Sequence, residues 1–284
     1  MIVVTGATGV VGRPLIELLS ASGAEIRAVT RNIQTADLPA GIDVVAGDPS
    51  QPATLADALR GASALFLNPR AVGTSAVELL TLARDQGVKR VVAMSALNVD
   101  FDLARQPSRL RGEYNKEVEA AAVASGLEWV ALRSGFYAVN TIGMWADQIR
   151  AGDVVHGSYP EVTWAPLHER DIASVGALAL LTDDLVGRRP VLTGPQALTQ
   201  GEMVSAIGAA ISRPLRHRQV PPEIARDGMI RAGMSAALAD GFLTMQAEAY
   251  GQPGLVTGEV EKILGRPGLT FKKWAADHSA AFSS

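Results

Sequence analysis

The sequence predicts an α/β chain: a doubly wound parallel sheet built mainly by the first half, with a smaller, mostly helical C-terminal lobe. Three observations predict it. Short β-branched runs alternate with helical patterns from Ile2 to Leu132, the order that crossover helices impose on parallel strands. The first run, Ile2-Val3-Val4, passes straight into glycines at positions 6, 9 and 12 and then into an apolar helical stretch; a continuous apolar run is what a strand buried on both faces looks like. Beyond Gly194-Pro195 the pattern changes to helical segments punctuated by proline.

The elements follow in order. After the first strand a helix is expected over residues 10–21, then strands over 24–30, 43–46, 62–67, 90–94 and 127–132. Helices over 53–59, 74–86 and 111–125 lie between the later strands, and right-handed crossovers stack the set into one sheet. Residues 187–193 form a further short strand, and Thr199-x-x-Glu202 is a capping box that opens a helix to residue 211. Pro214, Pro221-Pro222 and Gly233 divide the next helices, and the chain closes with helices over 257–264 and 271–282. The expected division is 1–134 as the first domain, with 165–194 returning to it, and 135–164 plus 195–284 as the second lobe.

The glycines carry the first functional reading. Gly6, Gly9 and Gly12 are spaced G-x-x-G-x-x-G between a strand and a helix, where a backbone can turn tightly and approach a pyrophosphate that the helix N-terminus attracts. The segment from Gly6 through Thr8, Gly9, Val10 and Val11 to Gly12 is therefore the expected dinucleotide cradle. At the end of the second strand an NAD site usually places an acid for the ribose 2′-hydroxyl. Arg31 stands there instead, and a guanidinium suits a 2′-phosphate, so NADP (NADPH) is expected in preference to NAD. Arg13 is either a second charge near the phosphates or a surface residue. Ligand groups in such a sheet come from loops at the carboxyl ends of strands. That rule selects Asp48 for the adenine amino group, Asn68 after the fourth strand and Ser95 after the fifth; the plain alternative for each is turn chemistry.

Composition narrows the classes. The 284 residues suffice for one large α/β domain, or for a domain with a lobe whose cleft holds the substrate. Charged residues make up 19% and the net charge is −3, which excludes nucleic-acid binding by bulk charge. The absence of cysteine excludes disulfides, thiolate metal sites and cysteine nucleophiles. His156, His168, His217 and His278 have no ligand-like spacing, so no metal is expected. The first strand begins at Ile2 and the longest apolar stretches, such as 172–181, fall short of a membrane span, so a cytoplasmic, membrane-free chain is expected.

Several motifs together resemble a known family. Thr5-Gly6-Ala7-Thr8-Gly9-x-x-Gly12, Gly47-Asp48-Pro49, 88–95, Ser125-Gly126-Leu127-Glu128-Trp129-x-x-Leu132-Arg133-x-Gly135-Phe136-Tyr137-x-x-Asn140, Arg170-Asp171-Ile172-Ala173 and Leu192-Thr193-Gly194-Pro195 occur in an order that is similar to the NmrA-like branch of the atypical short-chain dehydrogenase/reductases. The resemblance covers nearly the whole chain. It implies a Rossmann-like fold and a dinucleotide cofactor. Members include NAD(P)H:quinone oxidoreductases, triphenylmethane-dye reductases, ergot-alkaloid-type reductases and NmrA-type regulators that bind the dinucleotide without turning it over.

The proton relay of the wider superfamily, Tyr-x-x-x-Lys, is missing: Val118 stands four residues after Tyr114. Lys116 falls near the place where related reductases carry a lysine, which implies a contact with the nicotinamide ribose; its alternative is one charge among Glu113, Lys116 and Glu117 on a solvated helix face. Lys116 and Tyr137 are the candidate catalytic residues. Phe136 and Tyr137 are placed to wall the nicotinamide or stack on a planar substrate, against plain packing at a strand end. Met144, Trp145 and Trp164 are cleft or core residues, and His168 is an alternative acid or a core histidine. A site without the relay suits an acceptor that needs mainly proximity to the cofactor. The expected function is therefore an NADPH-dependent oxidoreductase acting on a quinone or similar planar electrophile. The alternative is a catalytically silent NADP(H) sensor acting through a protein partner, and a weaker third is an isomerase or biosynthetic reductase. A homodimer is compatible with each.

Overall fold

The computed structural model describes residues 1–283. In chain order the elements are β1 (Ile2–Val4), α1 (Gly12–Ala21), β2 (Ile26–Thr30), β3 (Asp43–Ala46), α2 (Ala56–Leu59), β4 (Ala64–Leu67), α3 (Pro69–Val72), α4 (Ala76–Asp85), β5 (Arg90–Ala96), α5 (Asn115–Ala124) and β6 (Glu128–Ser134). They continue with α6 (Asn140–Ala151), β7 (Val154–Gly157), β8 (Thr163–Trp164), α7 (Glu169–Leu181), β9 (Val191–Leu192), β10 (Leu198–Thr199), α8 (Gln200–Ala210), β11 (Arg216–Gln219), α9 (Pro222–Arg231), α10 (Ala236–Ala249), α11 (Glu259–Leu264) and α12 (Phe271–Asp277). The chain forms two compact units, one of Met1–Phe101, Arg111–Ser134 and Glu169–Val191, the other of Asp102–Leu110, Gly135–His168 and Leu192–Ser284. Among the described residues no helix is long and apolar enough to cross a membrane.

The main sheet has the order β3-β2-β1-β4-β5-β6-β9, and β1 to β6 pair in parallel. The order reverses between β1 and β4, which is the switch point where doubly wound sheets bind ligands. Alternation of side chains sorts the core of the first unit. Val3, Leu65, Leu67, Val91 and Ala93 pack with Leu55 just before α2, Leu59 of α2, Leu79 and Leu80 of α4, and Val118 and Ala122 of α5. The Phe66 ring faces the opposite way, toward Gly176 of α7, where a Cβ would stand 3.3 Å from Phe66 Cε2 and 3.7 Å from Leu15 of α1.

The second unit has its own core. Trp274 is fully buried, stacks on Phe271 at 5.2 Å and on His278 at 4.7 Å, and meets the Phe282 edge. Trp145, Trp164, Met203, Val204 and Ile207 complete the cluster. Two small sheets, β10 with β8 and β11 with β7, lie here.

The expected elements are present with shifted ends. Helix α1 begins at Gly12 rather than residue 10, because Val10 and Val11 still belong to the turn. Strands β5 and β6 extend to Ala96 and Ser134, since their pairing continues to that register. Helix α5 starts at Asn115 rather than residue 111, because Gly112 has φ +77° and cannot lie in a right-handed helix. The capping box is formed: Thr199 Oγ1 accepts the Glu202 N–H at 3.2 Å and Glu202 Oε2 accepts the Thr199 N–H at 2.8 Å.

At the amino-terminal end of the sheet, Arg90 is buried and donates to Glu128 Oε2 at 2.6 Å, to the Ala179 carbonyl at 3.2 Å, to the Thr182 carbonyl and to Asp183, tying α7 to β5 and β6. Arg90→Leu is expected to destabilise the protein by about 2–3 kcal/mol by stranding two carbonyls and removing charge-assisted bonds. Urea denaturation checks the loss, and dinucleotide affinity should not change.

Candidate functional site

The turn after β1 is dictated by backbone contacts. Gly6 has φ +65°, and a Cβ there would stand 2.7 Å from Asn68 Nδ2. At Gly12 a Cβ would lie 2.2 Å from the Gly6 carbonyl oxygen and 2.8 Å from that of Ala7, so only glycine lets α1 pack against the turn. Gly9 donates its N–H to Gly6 O at 2.9 Å, and a Cβ there would meet only Gly6 O, at 3.1 Å; the space beyond Gly9 is open to a ligand. Helix α1 starts at the Val11 N-cap with no side-chain cap and no acid in its first turn, leaving its positive end for an anion. Val10 is exposed, Val11 buried and Thr8 half-buried. Arg13 Nε donates to the Thr8 carbonyl at 3.1 Å and Arg13 pairs with Asp37 at 3.2 Å, so this guanidinium braces the turn against the segment after β2.

The neighbouring strand ends are joined to that turn. Thr5 Oγ1 donates to Phe66 O and accepts the Asn68 N–H, both at 2.9 Å. Asn68 Oδ1 caps α3 by accepting the Arg70 and Ala71 N–H groups at 3.0 and 3.3 Å, so the turn chemistry foreseen as its alternative is present. At the far side, Arg31 is exposed at the end of β2 and makes no ion pair among the described residues. The Ser50 hydroxyl holds the Asp48 carboxyl below the usual carboxylate range; burial opposes it, and the Ser50 N–H, the Arg31 charge and the Gln51 side chain add to the lowering.

Ser95 is buried, and its hydroxyl donates to Glu119 Oε2 at 2.6 Å. Glu119 also receives Arg133 Nη2 at 2.6 Å and Arg189 Nε at 2.9 Å, while Arg133 reaches Asp100 at 2.6 Å. Burial pushes the Glu119 carboxyl up, but the bonds from Arg133 and Ser95 and the Arg133 charge more than reverse this. On α5, Lys116 and Glu117 are exposed, as expected of a solvated face. Glu113 is not on that face: it precedes the helix and is half-buried, and burial raises its carboxyl above the ordinary range against Arg111 and Arg70. Tyr114 likewise precedes the helix, as its N-cap, and Val118 is buried in the core.

In the second unit, Phe136 and Tyr137 are half-buried. Phe136 stacks on Trp164 at 4.7 Å, and Trp164 meets Phe242 at 5.7 Å, which is the packing role foreseen as the alternative for Phe136. The Tyr137 backbone bridges to Leu167. Trp145 is a core residue, and Met144 is partly buried against the same core cluster. His168 is 1% exposed, 3.5 Å from Asp277 Oδ2 and beside the His278 ring, the arrangement of a core histidine.

The set fits a dinucleotide: an open glycine turn, an uncapped helix end and a cation at the end of β2. Residues 6–159 match the family model described as NAD(P)H-binding, and the NAD(P)H azoreductase of Xenophilus azovorans is 34% identical over 100% of both chains. The chain belongs to the NAD(P)H-binding family. A second relative of this chain, the (4-alkanoyl-5-oxo-2,5-dihydrofuran-3-yl)methyl phosphate reductase of Streptomyces griseus, is 31% identical over 100% of this chain and 99% of its own. The fold is that of the Escherichia coli NADPH-dependent quinone oxidoreductase, with TM-score 0.80, 24% identity and coverage of 98% and 99% of the two chains.

Two glycine variants separate packing from binding. Gly12→Ala should cost about 2–3 kcal/mol because its clash is with backbone, whereas Gly9→Ala should change stability by less than about 1 kcal/mol yet weaken NAD(P)H about tenfold or more; thermal unfolding and a fluorescence titration report the two effects. Because the folded Glu119 pKa is depressed, its contribution is complete above the unfolded value of about 4.3 and is lost as pH falls through the folded value. Glu119→Gln should therefore destabilise by about 2 kcal/mol at neutral pH, and the gap from the native protein should shrink in urea melts run at progressively more acid pH.

Proposed function

We propose that this protein is an NADPH-preferring oxidoreductase that reduces a planar, conjugated electrophile such as a quinone or an azo compound. The observation that carries the reading is Arg31, exposed and without an ion pair at the end of β2, where a carboxylate would select NAD. Gly6, Thr8, Gly9, Val10, Val11 and Gly12 cradle the pyrophosphate, with the α1 dipole behind them. Arg31 takes the 2′-phosphate. Asp48 Oδ1 already accepts the Ser50 N–H at 3.0 Å and its hydroxyl at 2.8 Å, so Oδ2 is the oxygen for the adenine amino group. Asn68 and Ser95 hold the strand ends beneath the nicotinamide half, and Lys116 reaches the ribose; the second unit is read as the substrate-binding lobe, with Tyr137 as its candidate catalytic residue and Phe136 beside it in sequence. Bound NADPH supplies a hydride. The relatives named NAD(P)H azoreductase and (4-alkanoyl-5-oxo-2,5-dihydrofuran-3-yl)methyl phosphate reductase support reduction as the activity, and quinone and azo groups both delocalise the added electron pair.

A second reading is favoured by one observation: Val118 of α5 is core, so no lysine lies a helical turn beyond Tyr114. In that reading the chain binds NADP(H) without turnover and signals to a protein partner. NADPH oxidation followed by absorbance with quinone and azo acceptors tests both; turnover supports the enzyme, and tight binding without turnover supports the sensor. Arg31→Glu should weaken NADPH at least about tenfold more than NADH, as measured by titration with each cofactor, and equal weakening would remove the NADPH preference.

A further inference from the structure

The reversal of strand order between β1 and β4 divides the carboxyl edge of the sheet in two. Arg31 and Asp48 lie on the β1–β3 side, which is the adenosine side of a dinucleotide crossing the switch point. The reactive end then lies over β4, β5 and β6. Arg70 sits in α3, immediately after β4, and Glu113 lies between β5 and α5. Both therefore belong to segments that follow β4 and β5 in the chain, on the side of the reactive end, and Arg70 and Arg111 are the charged groups that act on Glu113. Glu113 is half-buried, and among the described residues its carboxyl accepts no hydrogen bond and joins no salt bridge. The left-handed Gly112 turns the chain so that this acid is withdrawn from the solvated face of α5. The other buried acid of the segment, Glu119, is wholly engaged by Ser95, Arg133 and Arg189.

We propose that Glu113 is the proton donor of the reaction, in the place of the Tyr-x-x-x-Lys pair that this chain lacks. The proposal rests on the oxidoreductase reading above. The acceptor gains a hydride from the reduced nicotinamide and a proton from Glu113: the carboxyl O–H bond breaks as an O–H bond forms on a quinone, or an N–H bond on an azo nitrogen. The carboxylate left behind faces the Arg70 and Arg111 guanidiniums and takes a proton from water once product leaves. A half-buried carboxyl with no hydrogen-bond partner holds its proton more firmly than an exposed one, and burial raises Glu113 in the direction a general acid requires.

The experiment joins a titration with kinetics. Carbon-13 NMR of the glutamate carboxyls, assigned by difference with Glu113→Gln in the protein without cofactor, should show Glu113 holding its proton at pH values where exposed glutamates are ionised; titration with the exposed set would overturn the proposal. With NADPH and a quinone, Glu113→Gln should lower kcat by about 100-fold or more with NADPH affinity unchanged. The kcat of the native protein should fall with rising pH, this fall should be absent from the variant, and Glu113→Asp should restore part of the rate. An unchanged kcat and pH profile in Glu113→Gln overturns the proton donor while leaving the oxidoreductase reading intact. A native protein that binds NADPH and turns over no acceptor removes the oxidoreductase reading, and the proton donor with it.

Discussion

The Gly6 carbonyl accepts the Gly9 N–H at 2.9 Å and occupies the space in which a Gly12 side chain would stand. That contact sets the angle at which α1 leaves β1, and so where the positive end of the helix points. Asn68 packs on Gly6 from the other side while capping α3, and Thr5 hydrogen-bonds both Phe66 and Asn68. The loops after β1 and β4 are thus one piece of structure. Because β1 and β4 meet at the switch point, the glycine turn and the start of α3 share the same hydrogen bonds.

Two acids close in sequence show how the surroundings divide labour. Glu113 and Glu119 flank the start of α5 and are both withdrawn from solvent, yet burial prevails at one and arginine contacts at the other. The first is suited to give up a proton, the second to hold one strand end against its neighbour. Pairs of carboxyls driven apart in this way are how a single site keeps one acid and one anion at the same pH.

Much of this was legible in the residues themselves. The glycine turn, the buried strands β1 and β4 and the Thr199–Glu202 cap are local patterns with local causes, and all are present. Arg31 was legible because its position is counted along the chain from the turn. What could not be read depends on distant partners. Strand β11, Arg-His-Arg-Gln, has no apolar pattern and exists because it pairs with β7 some sixty residues earlier, as in Arg216↔Val154. Ser95 marks a strand end, but its hydroxyl is directed by Glu119 on a helix. Glu113 looked like one of three charges on a helix face, and the one signal that could have separated it is Gly112, a residue that stops a helix from extending back to include it.

The edges of the seven-stranded sheet also have a bearing on how copies of this chain meet. One edge is β9, only two residues long. The other is β3, four residues long, where Asp43 stands opposite Arg27 of β2 and receives its Nε at 2.6 Å. Neither presents a long row of unsatisfied amides, and one carries a charge at its first residue, so the sheet is a poor template for adding a strand from another molecule.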